Sequence, residues 1–316
     1  MHAGERELIG VDCAHTLAAM ITLQESLAAF PRTDVRANGL RFAVHTAGDG
    51  DKLALCLHGF PEAWFSWRHQ MPLLAKLGYR VWAPDMRGYG DTDRPGRTRD
   101  YAIDRLVDDV AGLIDASGSK DVTLVAHDWG GHVAWELAAM GVRPLSRLVN
   151  MNIGHPRVMT KAIYGGSIEQ MRKSWFIFFF QLPFLAERSL SKNEHAAIAQ
   201  AFRGRAVDKS RFPDELMDLY RASAAKPGAI TAMLSYYRAA LRHPSKRRRV
   251  EKIDTPTLLI WGEADAALGI ELAEGSAACV RDFTLARIPA CSHWVQQEQP
   301  EQVNAILEKW LMTPRP

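Results

Sequence analysis

Val125-Ala126-His127-Asp128-Trp129-Gly130-Gly131 decides how the rest of the chain is read. The apolar residues from Val122 to Ala126 predict a buried strand, and a helical pattern takes over at Gly130. A side chain at the sharp turn between them is lifted to the end of the strand, provided that small neighbours let strand and helix approach closely. Ala126 and Gly130 are those neighbours, and the turn itself holds Asp128. A carboxylate is ionised at neutral pH, so it attacks an sp³ carbon without needing a base and leaves an alkyl ester on the protein. Attack on an ester or amide would instead give a high-energy anhydride, which argues against esterase or peptidase chemistry. Taken by itself, Asp128 reads better as a cap for the helix that follows.

Two downstream groups, in the order nucleophile, acid, histidine, favour the chemical reading. Asp265 lies in Trp261-Gly262-Glu263-Ala264-Asp265, just past the apolar run Thr257 to Ile260, where a strand delivers a carboxylate to the same rim. His293 lies in Cys291-Ser292-His293-Trp294, between a strand and the last helix. A histidine oriented by a carboxylate activates water, here to hydrolyse the alkyl ester. That hydrolysis builds negative charge on the Asp128 carbonyl oxygen and needs backbone N–H donors already in place. The amides of Phe60, in His58-Gly59-Phe60-Pro61, and of Trp129 are expected to form this oxyanion hole, with Pro61 expected to be cis. His58 and His127 are expected to be hydrogen-bonded supports beneath the site.

Outward from this centre, residues 40 to 46, 53 to 57, 79 to 84, 122 to 127, 146 to 151, 256 to 261 and 283 to 288 read as strands. Helical patterns fit 67 to 77, 101 to 117, 130 to 140, 268 to 277 and 298 to 311. The alternation predicts an α/β fold, a mostly parallel twisted sheet covered by helices on both faces. Between Asn152 and Thr255 the rhythm breaks into helical, aromatic-rich stretches too long for a structureless loop. We read residues 155 to 248 as an inserted helical cap, residues 35 to 154 and 249 to 316 as the core, and residues 1 to 34 as an N-terminal helical extension. Leu17, Met20, Ile21 and Leu27 predict an amphipathic helix within residues 10 to 30, facing the body or a partner subunit such as a second copy.

With 39 Lys and Arg against 36 Asp and Glu, the net charge of +3 provides no field to hold nucleic acid or an anionic membrane. The short basic run Lys246 to Arg249 reads as a solvated loop. Cys13, Cys56, Cys279 and Cys291 lack paired ligand spacing, so neither disulfides nor zinc or another metal are expected. The apolar stretch from Thr16 to Leu23 is too short to span a bilayer and follows acidic Glu5 and Glu7, so a cytoplasmic location is expected.

Residues 35 to 312 resemble the soluble epoxide hydrolase family of the α/β-hydrolase superfamily. The motifs that carry the resemblance are H-G-F-P-E-A-W-F-S-W-R (58 to 68), D-M-R-G-Y-G (85 to 90), H-D-W-G-G (127 to 131), W-G-E-A-D (261 to 265) and S-H-W (292 to 294). It implies a cofactor-independent enzyme that turns a small apolar epoxide and water into a diol, with Asp128 as nucleophile, His293 as water activator and Asp265 as orienting acid. It also implies two tyrosines that donate hydrogen bonds to the epoxide oxygen. Leu234-Ser235-Tyr236-Tyr237-Arg238 looks like the second tyrosine motif, with Tyr237 at the functional position. The first motif resembles Ser174 to Pro183, where the tyrosine is replaced by Phe176. Loss of one donor to a developing oxyanion costs about a hundred- to thousandfold in rate, unless Trp175 turns its indole N–H inward. Trp175, Phe176, Phe179 and Trp294 are expected to line the substrate pocket.

Two rivals share these features. A haloalkane or haloacid dehalogenase uses the same aspartate ester and holds a halide on N–H donors, for which Trp129 and Trp175 would serve; the F-P-E-x-W run and Tyr237 favour the epoxide. A binding protein without turnover is favoured only by Phe176, and the triad argues against it.

Overall fold

The computed structural model describes residues 22–165 and 168–314. Arg32–Ala37 (β1), Leu40–Ala47 (β2), Lys52–Leu57 (β3), Tyr79–Pro84 (β4), Val122–His127 (β5), Arg147–Met151 (β6), Thr257–Gly262 (β7) and Phe283–Ile288 (β8) join in one sheet of order β1-β2-β4-β3-β5-β6-β7-β8. The pairs β1/β2 and β2/β4 are antiparallel and every other pair is parallel. Seven of these strands match the apolar runs of the sequence. β1 does not: only Ala37 is buried, and Arg32, Asp34 and Arg36 alternate with its apolar positions, the charged face of a sheet edge. The boundary expected at residue 34 therefore cuts a sheet strand.

Gln70–Lys76 (α2), Ile103–Ser117 (α3) and Asp128–Met140 (α4) cover the first half of the sheet, preceded by Leu23–Ala28 (α1). α1 opens with a capping box between Thr22 and Glu25. The remainder of the helix expected over residues 10 to 30, with Leu17, Met20 and Ile21, lies outside the described residues, as does Cys13. Pro156–Tyr164 (α5), Ile168–Lys173 (α6), Trp175–Phe179 (α7), Leu185–Arg203 (α8), Asp214–Ala225 (α9) and Ala229–Arg242 (α10) fill the connection from β6 to β7. Ile270–Ser276 (α11), Val295–Glu298 (α12) and Pro300–Met312 (α13) complete the chain.

Strand periodicity sends alternate residues of β3 into different cores. Leu53, Leu55 and Leu57 join the side chains of α3 and α4, whereas Ala54 and Cys56 join Met71 of α2 and Leu307 of α13. Because β3, β5, β6, β7 and β8 run parallel, their carboxyl ends open at one rim. Around it lie His58, Asp128, Asn152, Asp265 and His293, each just after a strand. Cys56, Cys279 and Cys291 are buried free thiols. Among the described residues no helix is long and apolar enough to cross a membrane. The basic run is less solvated than its composition suggests, since Arg247 is bidentate to Asp108 and Arg249 to Glu136, tying the return to β7 onto α3 and α4.

The D-M-R-G-Y-G motif has a folding role. Arg87 donates to both oxygens of Asp109 on α3, at 2.7 and 2.5 Å, and Asn38 adds a third bond at 2.8 Å. Tyr236 on α10 donates to the Arg87 carbonyl at 2.8 Å, so this buried pair links β4, α3 and the β6–β7 helices. Removing one member strands a buried charge. Arg87→Met is expected to lower stability in urea denaturation by about 3–5 kcal/mol, and adding Asp109→Leu to recover most of that loss.

Candidate active site

β5 is buried at every position and leads directly into Asp128, which adopts a left-handed conformation at φ +48°. That backbone costs an ordinary L-residue energy and persists only where the surroundings enforce it. Two glycines allow the packing that does so. A Cβ on Gly130 would meet the Leu57 carbonyl oxygen at 2.2 Å, and one on Gly59 would meet the Asp128 Cβ at 2.4 Å. The residue at the α4 N-cap is His127, so Asp128 does not cap the helix with its side chain. Its Oδ1 instead accepts a 2.7 Å hydrogen bond from the Phe60 N–H, next to a cis Phe60–Pro61 bond. The Trp129 N–H lies in the first turn of α4, where backbone donors have no partner within the helix.

His293 stands between two carboxylates. Its Nδ1 lies 2.7 Å from Asp265 Oδ2, and its Nε2 lies 3.5 Å from Asp128 Oδ2. Asp265 is held from every side: Asn152 donates to Oδ2 at 2.9 Å, and the amides of Ala267 and Leu268 donate to Oδ1 at 2.7 and 3.0 Å. Burial disfavours a charged imidazole, but the Asp265 charge and the hydrogen bonds to Asp128 and Asp265 override it and raise the His293 pKa to about 10. Burial likewise opposes ionisation of Asp128. The His293 contact, the charges of His293 and His127 and the Phe60 amide outweigh it and hold the carboxyl below the usual carboxylate range.

Beneath this layer lie groups to which the sequence alone assigned no role, of which only Glu62 falls within one of the motifs. Glu62 accepts from the Gly59 amide, from His127 Nδ1 at 2.7 Å, and from the side chains of Gln296 and Gln297, which uses the capacity of both oxygens. Glu298 accepts from the Ser292 backbone and hydroxyl, just before His293. Asn152, at φ +44°, bonds Gly262 through both ends of its amide as well as Asp265. A polar residue at the end of a buried strand was the available signal for Asn152. His58 and His127 are supports: His58 bonds the Gly59 carbonyl and the Met86 amide, and His127 bridges Glu62 and the His293 carbonyl.

A cavity of about 660 Å³ opens above Asp128 and His293, walled by the helices between β6 and β7. Tyr237 lines it, buried and edge-on to Phe60 at 5.3 Å and to Trp129 at 5.1 Å. Burial and the Asp128 charge push its hydroxyl well above the usual tyrosine range, against a smaller opposing contribution from its hydrogen bond to Trp129. Phe176, Phe179 and Trp294 also line the cavity. Trp175 lines it as well but is 58% exposed, which makes its indole a poor substitute for an enclosed hydroxyl. Among the described residues, no cluster of three or more His, Cys, Asp or Glu side chains could hold a metal ion.

The model of the alpha/beta hydrolase fold family matches residues 55–300. The chain is 38% identical over 275 residues to Epoxide hydrolase 2 of Caenorhabditis elegans, covering 86% of this chain and 77% of that protein. It is 37% identical to Epoxide hydrolase 4 of Mus musculus, covering 88% and 78%. A crystal structure of the Bacillus megaterium epoxide hydrolase in complex with an inhibitor superposes with a TM-score of 0.81 at 27% identity, covering 89% of this chain and all of that one. On its strand order, the geometry of its rim and these likenesses, the chain belongs to the epoxide hydrolase family of the α/β-hydrolase fold.

Proposed function

We propose that this protein hydrolyses an apolar epoxide to a vicinal diol in two steps, through an alkyl ester of Asp128. The observation that carries this reading is the placement of one imidazole between Asp265 and Asp128, with the other Asp128 oxygen on a backbone amide. Oδ1, held by Phe60, becomes the ester carbonyl oxygen. Oδ2 attacks the epoxide carbon, and the C–O bond breaks with its electron pair passing to oxygen. Tyr237, kept protonated by burial, transfers its proton to that oxygen. Water then adds to the ester while the Phe60 and Trp129 amides stabilise the oxyanion. Helices α5 to α10 act as a cap whose aromatic lining selects an apolar substrate. The route uses only side chains, backbone amides and water.

The His293 pKa supplies the timing. At about 10 the resting imidazole is protonated and cannot serve as a base. Ester formation cancels the Asp128 charge and removes part of what holds that proton. His293 then sheds it, restoring the proton that Tyr237 gave up, and the neutral ring takes a proton from the attacking water. Diol release leaves Asp128 ionised and His293 protonated again, so the cycle balances.

Steady-state turnover of matched aryl epoxides and bromides tests the reaction: diol from epoxides supports it, and bromide release without diol would make the protein a dehalogenase. Asp128→Ala is expected to abolish turnover. His293→Gln is expected to accumulate an ester visible as one added substrate mass on the intact protein; wild-type turnover in that variant would remove His293 from the mechanism. Tyr237→Phe is expected to slow ester formation about a hundred- to thousandfold in stopped-flow measurements. Asp128→Asn removes the negative charge facing Nε2, so the His293 ring is expected to titrate well below 10 by NMR, whereas an unmoved titration would break the proposed coupling.

A further inference from the structure

Phe176 stands where the resemblance calls for a second hydroxyl donor, and the structure places a different donor beside it. Arg205, half-buried just after α8, lines the same cavity as Asp128 and Tyr237. Its Cζ lies 5.8 Å from the centroid of the Phe176 ring, and that ring lies 6.0 Å from the ring of Tyr237. Phe176 thus contacts both a guanidinium and a phenol.

Four other arginines of the helices and loops around the cavity are committed to carboxylates. Arg203 pairs with Asp214 at 2.6 Å, Arg211 with Glu301 at 3.0 Å, Arg238 with Glu187 at 2.5 Å and Arg249 with Glu136 at 2.5 Å. No carboxylate among the described residues ion-pairs with Arg205, whose guanidinium lies over the Phe176 ring. A contact with a ring face leaves the N–H groups of a guanidinium available to an acceptor. We propose that Arg205 is a further catalytic residue, donating a hydrogen bond to the epoxide oxygen in place of the hydroxyl that Phe176 lacks. The inference rests on the Asp128 reading above. As Oδ2 bonds to carbon and the epoxide C–O bond breaks, Tyr237 gives up its proton to the oxygen while Arg205 keeps its own and stabilises the growing negative charge. The Arg205 charge also opposes the burial-driven rise in the Tyr237 pKa, which eases loss of the phenolic proton.

The test measures the single-turnover rate of ester formation with styrene oxide, by intact mass, in a His293→Gln background that retains the ester. Arg205→Gln is expected to slow ester formation about a hundred- to thousandfold, and Arg205→Lys to keep part of the rate. Adding Phe176→Tyr to Arg205→Gln is expected to restore most of the loss, which a merely misfolded variant would not allow. An unchanged rate in Arg205→Gln overturns the proposal. So does a loss confined to epoxides that carry a carboxylate, because Arg205 would then be a substrate anchor. Failure to form any ester with Arg205 intact would remove the Asp128 reading first, and this inference with it.

Discussion

Two buried carboxylates face the two nitrogens of one imidazole, and most of what surrounds the rim serves to make that arrangement tolerable. A carboxylate out of water favours its neutral form, yet Asp128 and Asp265 are both held below the usual carboxylate range. His293 supplies the positive charge between them. Two backbone amides and the Asn152 amide take up the remaining capacity of Asp265, and the Phe60 amide takes up Oδ1 of Asp128. These donors come from the loops after β3, β6 and β7, at the carboxyl ends of the parallel strands, so strand order is what lets the charges coexist.

The same requirement explains the backbone. Asp128 and Asn152 both adopt left-handed conformations, one just past β5 and the other just past β6. Asn152 turns back to bond both the amide and the carbonyl of Gly262, clamping the loop that carries Asp265. Gly59 and Gly130 leave no room for a Cβ, because the Phe60 amide must reach Asp128 while α4 begins against β3. Glu62 anchors the other side, joining Gly59, His127 and the α12 glutamines into one buried polar network. Glu62 itself is satisfied by four donors, whereas the buried amide oxygen of Gln296 in the same network has no hydrogen-bond partner.

Much of this was legible in the sequence because strands buried on both faces announce themselves as apolar runs, and because the rim residues follow those runs directly. Seven of the eight strands matched such runs. β1 escaped because a sheet edge carries charges where a central strand carries Val and Leu; Arg32 and Arg41 bond Asp34 and Asp91 along it. Asn152, Gln296 and Gln297 escaped for another reason. Amide side chains carry no charge and no motif of their own, and their roles depend on which loop lies opposite, information that only the folded sheet contains.

Burial acts in opposite senses on the two groups that must cooperate across the cavity. It raises the Tyr237 pKa and so keeps a proton available to an alkoxide, but the same loss of water would protonate Asp128 and silence it. An apolar cavity alone would therefore disable the attacking group while preserving the donor. The polar contacts are distributed to resolve this. Asp128 receives a short amide bond and the charges of two histidines from the sheet side. Tyr237 is surrounded by the rings of Phe60, Trp129, Phe176 and Phe180, with a single indole hydrogen bond. The division of the cavity into a hydrogen-bonded floor and an aromatic roof thus follows from the need to keep a base and an acid in their opposite protonation states within one volume withdrawn from water.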